Sequence, residues 1–146
     1  MSENILSRAG KAVSIAKAAL PYITVGPPLI EKVPGGLLKI DVPLLYNGFA
    51  IDRVHFNPVT MTPSPKGLPL RVYSEPPTPS AVTRAMEAVI SELRVLEAAE
   101  YREPETAWAI PLAWKTLLIA HLKIRDTTWE IVPDYPLTEE LRRRLS

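Results

Sequence analysis

Between residues 4 and 20 the apolar positions recur at helical spacing. At the helical advance per residue, Ile5, Leu6, Ala9, Ala12, Val13, Ala16 and Leu20 fall within one sector of about 120°. This predicts a helix that Pro21 ends. Arg8 and Lys17 flank the apolar sector, and Lys11 lies further round. Three of the seven apolar residues are alanine, so a partner surface can approach closely. That surface is either the domain's own core or a neighbouring molecule, which the helix would reach as a docking arm. The stretch after it contains Pro21, Gly26, Pro27, Pro28, Pro34, Gly35 and Gly36. Neither a helix nor a central strand suits it, so residues 21–36 read as an ordered extended connection.

The clearest local signal follows. Leu38 to Tyr46 and Phe49 to Asn57 are strand-like runs joined by Asn47-Gly48, a pair that accepts positive φ at both turn positions. Two-residue pairing sets Tyr46 against Phe49 and Leu44 against Ile51. Continued without interruption, it would set Val42 against Arg53 and Ile40 against His55, spoiling the apolar face. One extra residue at Asp52-Arg53, opposite Pro43, restores Val42 with Val54 and Ile40 with Phe56. The same shift brings Asp41 opposite His55.

Residues 58–79 hold seven prolines around a short strand-like run, Leu70 to Tyr73, with a turn at Lys66-Gly67. So long a connection is usually functional or pinned by packing. Thr78 then caps a second helix with Pro79 in its first turn, and Pro104 bounds the far end. Val82, Met86, Val89, Leu93 and Leu96 form a narrow seam at 4-3-4-3 spacing. Residues 106–125 fit two patterns. A buried helix from Pro111 to about Ile119 or His121 is the favoured one. The other is a strand, in which Leu118, Ala120, Leu122 and Ile124 alternate with Ile119, His121, Lys123 and Arg125. A turn at Asp126-Thr127-Thr128, a short strand from Trp129 to Val132 and a small helix from near Thr138 complete the chain. Glu139 and Glu140 are expected in the first turn of that helix and Arg142 to Arg144 in its last.

These elements describe an α+β fold in a single domain. It has an N-terminal helix, a small antiparallel sheet built on the 38–57 hairpin, helices in the C-terminal half and long ordered proline-rich connections. The chain divides into a helix with an extended arm, residues 1–36, and a body, residues 37–146. Its 146 residues suffice for one core without disulfide or metal.

Composition narrows the function classes. The absence of cysteine excludes disulfide frameworks, zinc ribbons, iron–sulfur clusters and cysteine nucleophiles. Sixteen prolines, no glutamine and three asparagines are the composition expected of a thermophile protein. Net charge is +1, which disfavours dedicated non-specific binding to phosphate backbones. Charge alternates along the chain, positive in 1–25 and 104–125 and negative in 80–103 and 126–146, a distribution suited to self-association. The longest apolar run, Ala107 to Trp114, is far shorter than a membrane span. With no signal-peptide pattern at the N-terminus, a cytoplasmic location is expected, or the virion if the protein is viral.

Chemical signatures are sparse. No metal-ligand spacing, phosphate loop, nucleophile elbow or dinucleotide fingerprint occurs, so neither metal nor cofactor is expected. The candidate catalytic constellation is His55 with Asp41 and Asp52, because a carboxylate beside an imidazole fixes its tautomer and raises its basicity. Candidate interaction residues are Ile5, Leu6, Ala9, Val13, Ala16 and Leu20; candidate nucleic-acid contacts are Arg8, Lys11, Lys17, Lys66 and Arg71. The leading functional expectation is a self-assembling structural or protein–protein interaction protein, partnered by other copies of itself, from a thermophile (archaeal) or its virus. A nucleic-acid-binding module using the basic helix and exposed aromatics is the first alternative. A small enzyme with an acid–base site at His55 is the second.

Overall fold

The computed structural model describes residues 4–145. In chain order these form α1 (Ile5–Ala19), a 3-10 turn at Leu20–Tyr22, β1 (Thr24–Val25), β2 (Leu29–Val33), β3 (Leu37–Tyr46), β4 (Phe49–Asn57), β5 (Thr62–Pro63) and β6 (Leu70–Arg71). Then come α2 (Pro79–Ile90), β7 (Arg94–Val95), β8 (Glu100–Arg102), a 3-10 turn at Glu103–Glu105, β9 (Ala107–Trp114), β10 (Leu117–Arg125) and α3 (Tyr135–Leu145). The fold is α+β, with two antiparallel sheets. In the first, β3 is central, flanked by β4 and β6 on one side and by β1 and β2 on the other, while β5 extends β4. In the second, β9 is central between β10 and the short strands β7 and β8.

α1 begins where Asn4 caps the Ser7 N–H at 2.7 Å and runs to Ala19. It lies on β7, β9 and β10 of its own chain, with Ala12, Ala16 and Ala19 buried. One large apolar cluster joins these alanines to Ile40, Val42, Leu44 and Val54 of the first sheet and to Val82 and Met86 of α2. It continues through Trp108, Ile110, Leu112, Leu122 and Ile124 of the second sheet. A smaller cluster (Leu29, Ala50, Leu137 and Leu141) sits beneath α3. The proline-rich connection after α1 enters the first sheet at its edge: β2 pairs with β3 along five positions through a turn in which Gly35 and Gly36 take φ of +93° and +77°.

The Asn47-Gly48 hairpin pairs Val42 with Val54, Ile40 with Phe56 and Asp41 with His55, but its extra residue is not at Asp52-Arg53. Pairing is regular there, Leu44 with Asp52 and Pro43 with Arg53, and the register shifts between Leu44 and Leu45, leaving Ile51 as the bulged residue. Tertiary contacts explain the placement. The bulge lets Ala50 and Ile51 enter different apolar clusters. The Ala50 N–H donates to Thr138 Oγ1 (3.0 Å), and the Ala50 carbonyl accepts the Asp134 N–H (2.7 Å). The start of α3 thus takes the backbone groups that the interrupted ladder releases.

Three helix expectations are corrected. α2, capped by Thr78 as expected, stops at Ile90 and does not approach Pro104. Val82, Met86 and Val89 are buried on it, but Leu93 reaches the core from a turn, and Arg94–Val95 bond to the edge of β9 instead. The expected helix over residues 111–121 is the hairpin β9–β10, turned by Lys115-Thr116 with Lys115 at φ +54°. β9 is buried on both faces, which erases the alternation that marks a strand in sequence. Pro111 is tolerated at its centre because the Pro111 carbonyl accepts from Leu96, while the opposite His121 N–H points away to Asp52. α3 starts at Tyr135, where the Asp134 side chain accepts the Leu137 N–H at 3.0 Å, so Glu139 and Glu140 lie beyond its first turn. Residues 129–132 contribute only an Ile131–Ile124 bridge, and Trp129 sits at φ +63°.

Candidate functional site

The three residues of the candidate acid–base constellation divide between two places. Asp41 and His55, opposite one another on β3 and β4, meet on the outer face of the first sheet. Asp41 is buried at 5% exposure, an environment that demands partners for its carboxylate. Its Oδ1 lies 2.8 Å from His55 Nδ1, its Oδ2 accepts from Arg53 Nη1 at 3.1 Å, and Lys39 Nζ stands 4.0 Å away. Arg53 reaches on to Glu140 Oε1 at 3.5 Å, and Glu140 pairs with Arg144 at 3.4 Å, tying the sheet to α3. With Nδ1 on a carboxylate, the proton sits at Nδ1 and Nε2 is the basic nitrogen. Gly67 closes over the ring, since a Cβ there would stand 2.6 Å from His55 Nδ1. Among the described residues no serine or threonine hydroxyl bonds to His55, so the pair has a base but no adjoining nucleophile.

Asp52 points to the other face of β4. There β4 runs beside β10, and Asp52 Oδ2 accepts the His121 N–H at 2.7 Å while Oδ1 accepts the Arg53 N–H at 2.8 Å. The carboxyl therefore joins the bulge of β4 to that of β10, where the register shifts between Leu118 and Ala120. Burial pushes its pKa above the ordinary value, against the lowering effect of the two N–H donors. It lines a cavity of about 570 Å³ together with Arg102, His121, Lys123, Arg125 and Tyr135. Sequence reasoning did not gather these residues. The signal that does is the alternation of His121, Lys123 and Arg125, legible only once residues 117–125 are read as a strand.

The basic candidates on α1 are engaged within the chain. Arg8 Nε lies 3.4 Å from the buried Asp126, Lys17 pairs with Glu97, and Lys11 stands over the Trp129 ring at 4.6 Å. Lys66 and Arg71 project from the proline-rich connection. Of the interaction candidates, Ala16 is buried and Ala9, Val13 and Leu20 pack against the core, whereas Ile5 and Leu6 are 60% and 80% exposed.

The connection between β4 and α2 presents a different surface. Pro58 and Pro63 are buried anchors, the Ser64 N–H donates to the His55 carbonyl at 2.8 Å, and β6 pairs with the start of β3. Between these ties Leu68 is 66% exposed, and Tyr73, two residues past β6, is 92% exposed. Beside Tyr73 lies an apolar groove of about 540 Å³ lined by Val33, Pro34, Leu37, Leu38, Val72 and Pro76 among others. In comparisons with protein-family models, curated proteins and solved structures, nothing matches this chain.

Proposed function

We propose that this chain is a self-assembling interaction protein, and that its contact with further copies is the proline-stiffened segment 64–78 and the groove beside it. The supporting observation is Tyr73, displayed almost fully to solvent two residues beyond β6, which pairs with β3. Exposed tyrosines on rigid supports are strong interface anchors, because little conformational freedom is lost on docking. Prolines at 65, 69, 76 and 77 supply that stiffness. Knob and hole lie in one patch: the Tyr73 ring of one copy can enter the groove at Pro34, Leu37 and Pro76 of the other, and the reverse contact follows by two-fold symmetry. Near-neutral net charge with alternating blocks removes long-range repulsion between copies. The missing cysteine and glutamine fit an assembly component of a thermophile or its virus.

Light scattering on a size-exclusion column, over a range of concentrations, tests this reading. The expected result is a concentration-dependent dimer or larger species that Tyr73→Ala and Leu68→Ser each convert to monomer without loss of folding. A clean monomer at the highest soluble concentration overturns it.

A further inference from the structure

The outer face of the second sheet carries a charge arrangement that the assembly reading does not use. Arg102 on β8 pairs with Ala107 on β9, and Ala107 pairs with Arg125 on β10, so the three residues form one row across three strands. The two arginines flank an alanine at about 10 Å between backbones, the span of two strand spacings. Both line the cavity that Asp52 also lines. In the next row Lys123 stands across Ala109 from Glu100 and pairs with Glu105 at 2.9 Å.

The acidic residues of the cavity are already satisfied. Glu105 is matched by Lys123, Asp134 caps α3, and both Asp52 oxygens accept backbone N–H groups. The two arginines are not. Among the described residues no carboxylate lies within ion-pair distance of Arg125, and Arg102 has only the exposed Glu100 at 3.9 Å. Two arginines on one row of the sheet, lining the same recess of ligand size, are suited to bidentate recognition of an oxyanion.

We propose that Arg102 and Arg125 clamp the phosphoryl group of a small phosphorylated ligand in the cavity between β10 and the Val132–Pro136 turn. His121 and Tyr135, which line the same cavity, are available to the remainder of the ligand. Pro104, Pro133 and Pro136 also line the recess, whose volume of about 570 Å³ accommodates a small molecule or one terminal nucleotide of a chain.

Backbone amide shifts recorded by NMR during titration of the whole protein test the clamp. The probes are inorganic phosphate, ribose 5-phosphate and a 5′-phosphorylated single-stranded oligothymidylate. Saturable shifts confined to residues near 102–107 and 121–125 are expected, with ribose 5-phosphate bound more tightly than phosphate. Arg125→Gln and Arg102→Gln should each weaken binding by about tenfold or more, the loss of one charge-assisted pair. Arg84→Gln, on the exposed side of α2, should leave it unchanged. Tightest binding by the oligothymidylate at the same amides keeps the clamp and assigns its phosphate to a nucleic-acid end. Should Arg125→Gln fail to fold, Arg102→Gln carries the same comparison. Absence of saturation with every probe, or equal affinity in the folded arginine variants, overturns the proposal.

Discussion

Asp52 on β4 and His121 on β10 are joined side chain to backbone, with Asp52 Oδ2 accepting the His121 N–H at 2.7 Å. The bond lies beside the bulges of β4 and β10, where the His121 N–H points away from its cross-strand neighbour Pro111. It is a polar link between the two sheets.

Asp52 has the opposite pH dependence to a carboxylate whose pKa is lowered by an ion pair. Because burial raises its folded-state pKa, the fold retains this proton to a higher pH than the unfolded chain, whose ordinary value is 3.8. The stability from this group is complete below that value and is lost as pH rises through the raised one. Asp52→Asn abolishes the titration but turns its amide nitrogen onto one of the two N–H donors. It should therefore be less stable than the parent near pH 3, with the deficit shrinking toward neutrality as the parent loses the contribution of its proton, as read by urea midpoints at each pH. An advantage of the parent that grows with pH would contradict the raised pKa. Asp52→Ala orphans two N–H groups and should cost about 1–3 kcal/mol.

Thr138 is the corresponding link to α3. Its hydroxyl accepts the Ala50 N–H and donates to the Asp134 carbonyl at 2.8 Å. Thr138→Val keeps the shape and leaves a buried donor unpaired, so a loss of about 1–3 kcal/mol is expected, with Thr138→Ser closer to the parent. Hydrogen exchange at Ala50 should accelerate selectively in the valine variant. Unchanged protection there would mean that the strand retains the amide by another route.

Gly67 lets the 64–67 turn close on the imidazole of His55. In Gly67→Ala the new methyl group must displace either the ring or the loop, because it would meet His55 Nδ1 at 2.6 Å. The expected outcome is loss of the Nδ1–Asp41 hydrogen bond, seen as disappearance of the downfield imidazole N–H resonance, and a lower melting temperature. Persistence of that resonance would show that the loop moves and the His55–Asp41 pair does not.

Arg8 fastens α1 to the second sheet. Asp126, buried at 6% exposure, accepts the Trp108 indole N–H at 3.1 Å and faces the Arg8 guanidinium. Arg8→Ala leaves that carboxylate with less compensation and should destabilise the protein by about 1 kcal/mol or more, with faster amide exchange along α1. A double-mutant cycle with Asp126→Asn should show coupling. Additivity would place α1's attachment in the packing of Ala12, Ala16 and Ala19 alone.

Legibility in the sequence followed how locally each element is specified. α1, the Asn47-Gly48 hairpin and the start of α2 carry their own caps, turn residues and periodicity, and all three stand where the pattern puts them. The pairing of Asp41 with His55 was readable as well, because it needs only the hairpin and one bulge. The bulge itself lies at Ile51, since Thr138 and Asp134, more than 80 residues away, take the polar groups of Ala50. The β9–β10 hairpin was obscured twice, by burial of β9 on both faces and by a Lys115-Thr116 turn that lacks glycine or asparagine.

The candidate site divides along the same line. Sequence alone determined that this is a cysteine-free α+β chain with an ordered, proline-stiffened framework and a His55–Asp41 pair, because composition, turn chemistry and short-range register act within a few residues. Only the tertiary structure decided that Asp52 belongs with His121 and not with His55, that α1 spends its alanine face on its own sheet, and that Arg102 and Arg125 flank Ala107. Those relationships join residues that neither turns nor periodicity connect. They are set by which strands share an edge and by where each buried N–H finds its acceptor.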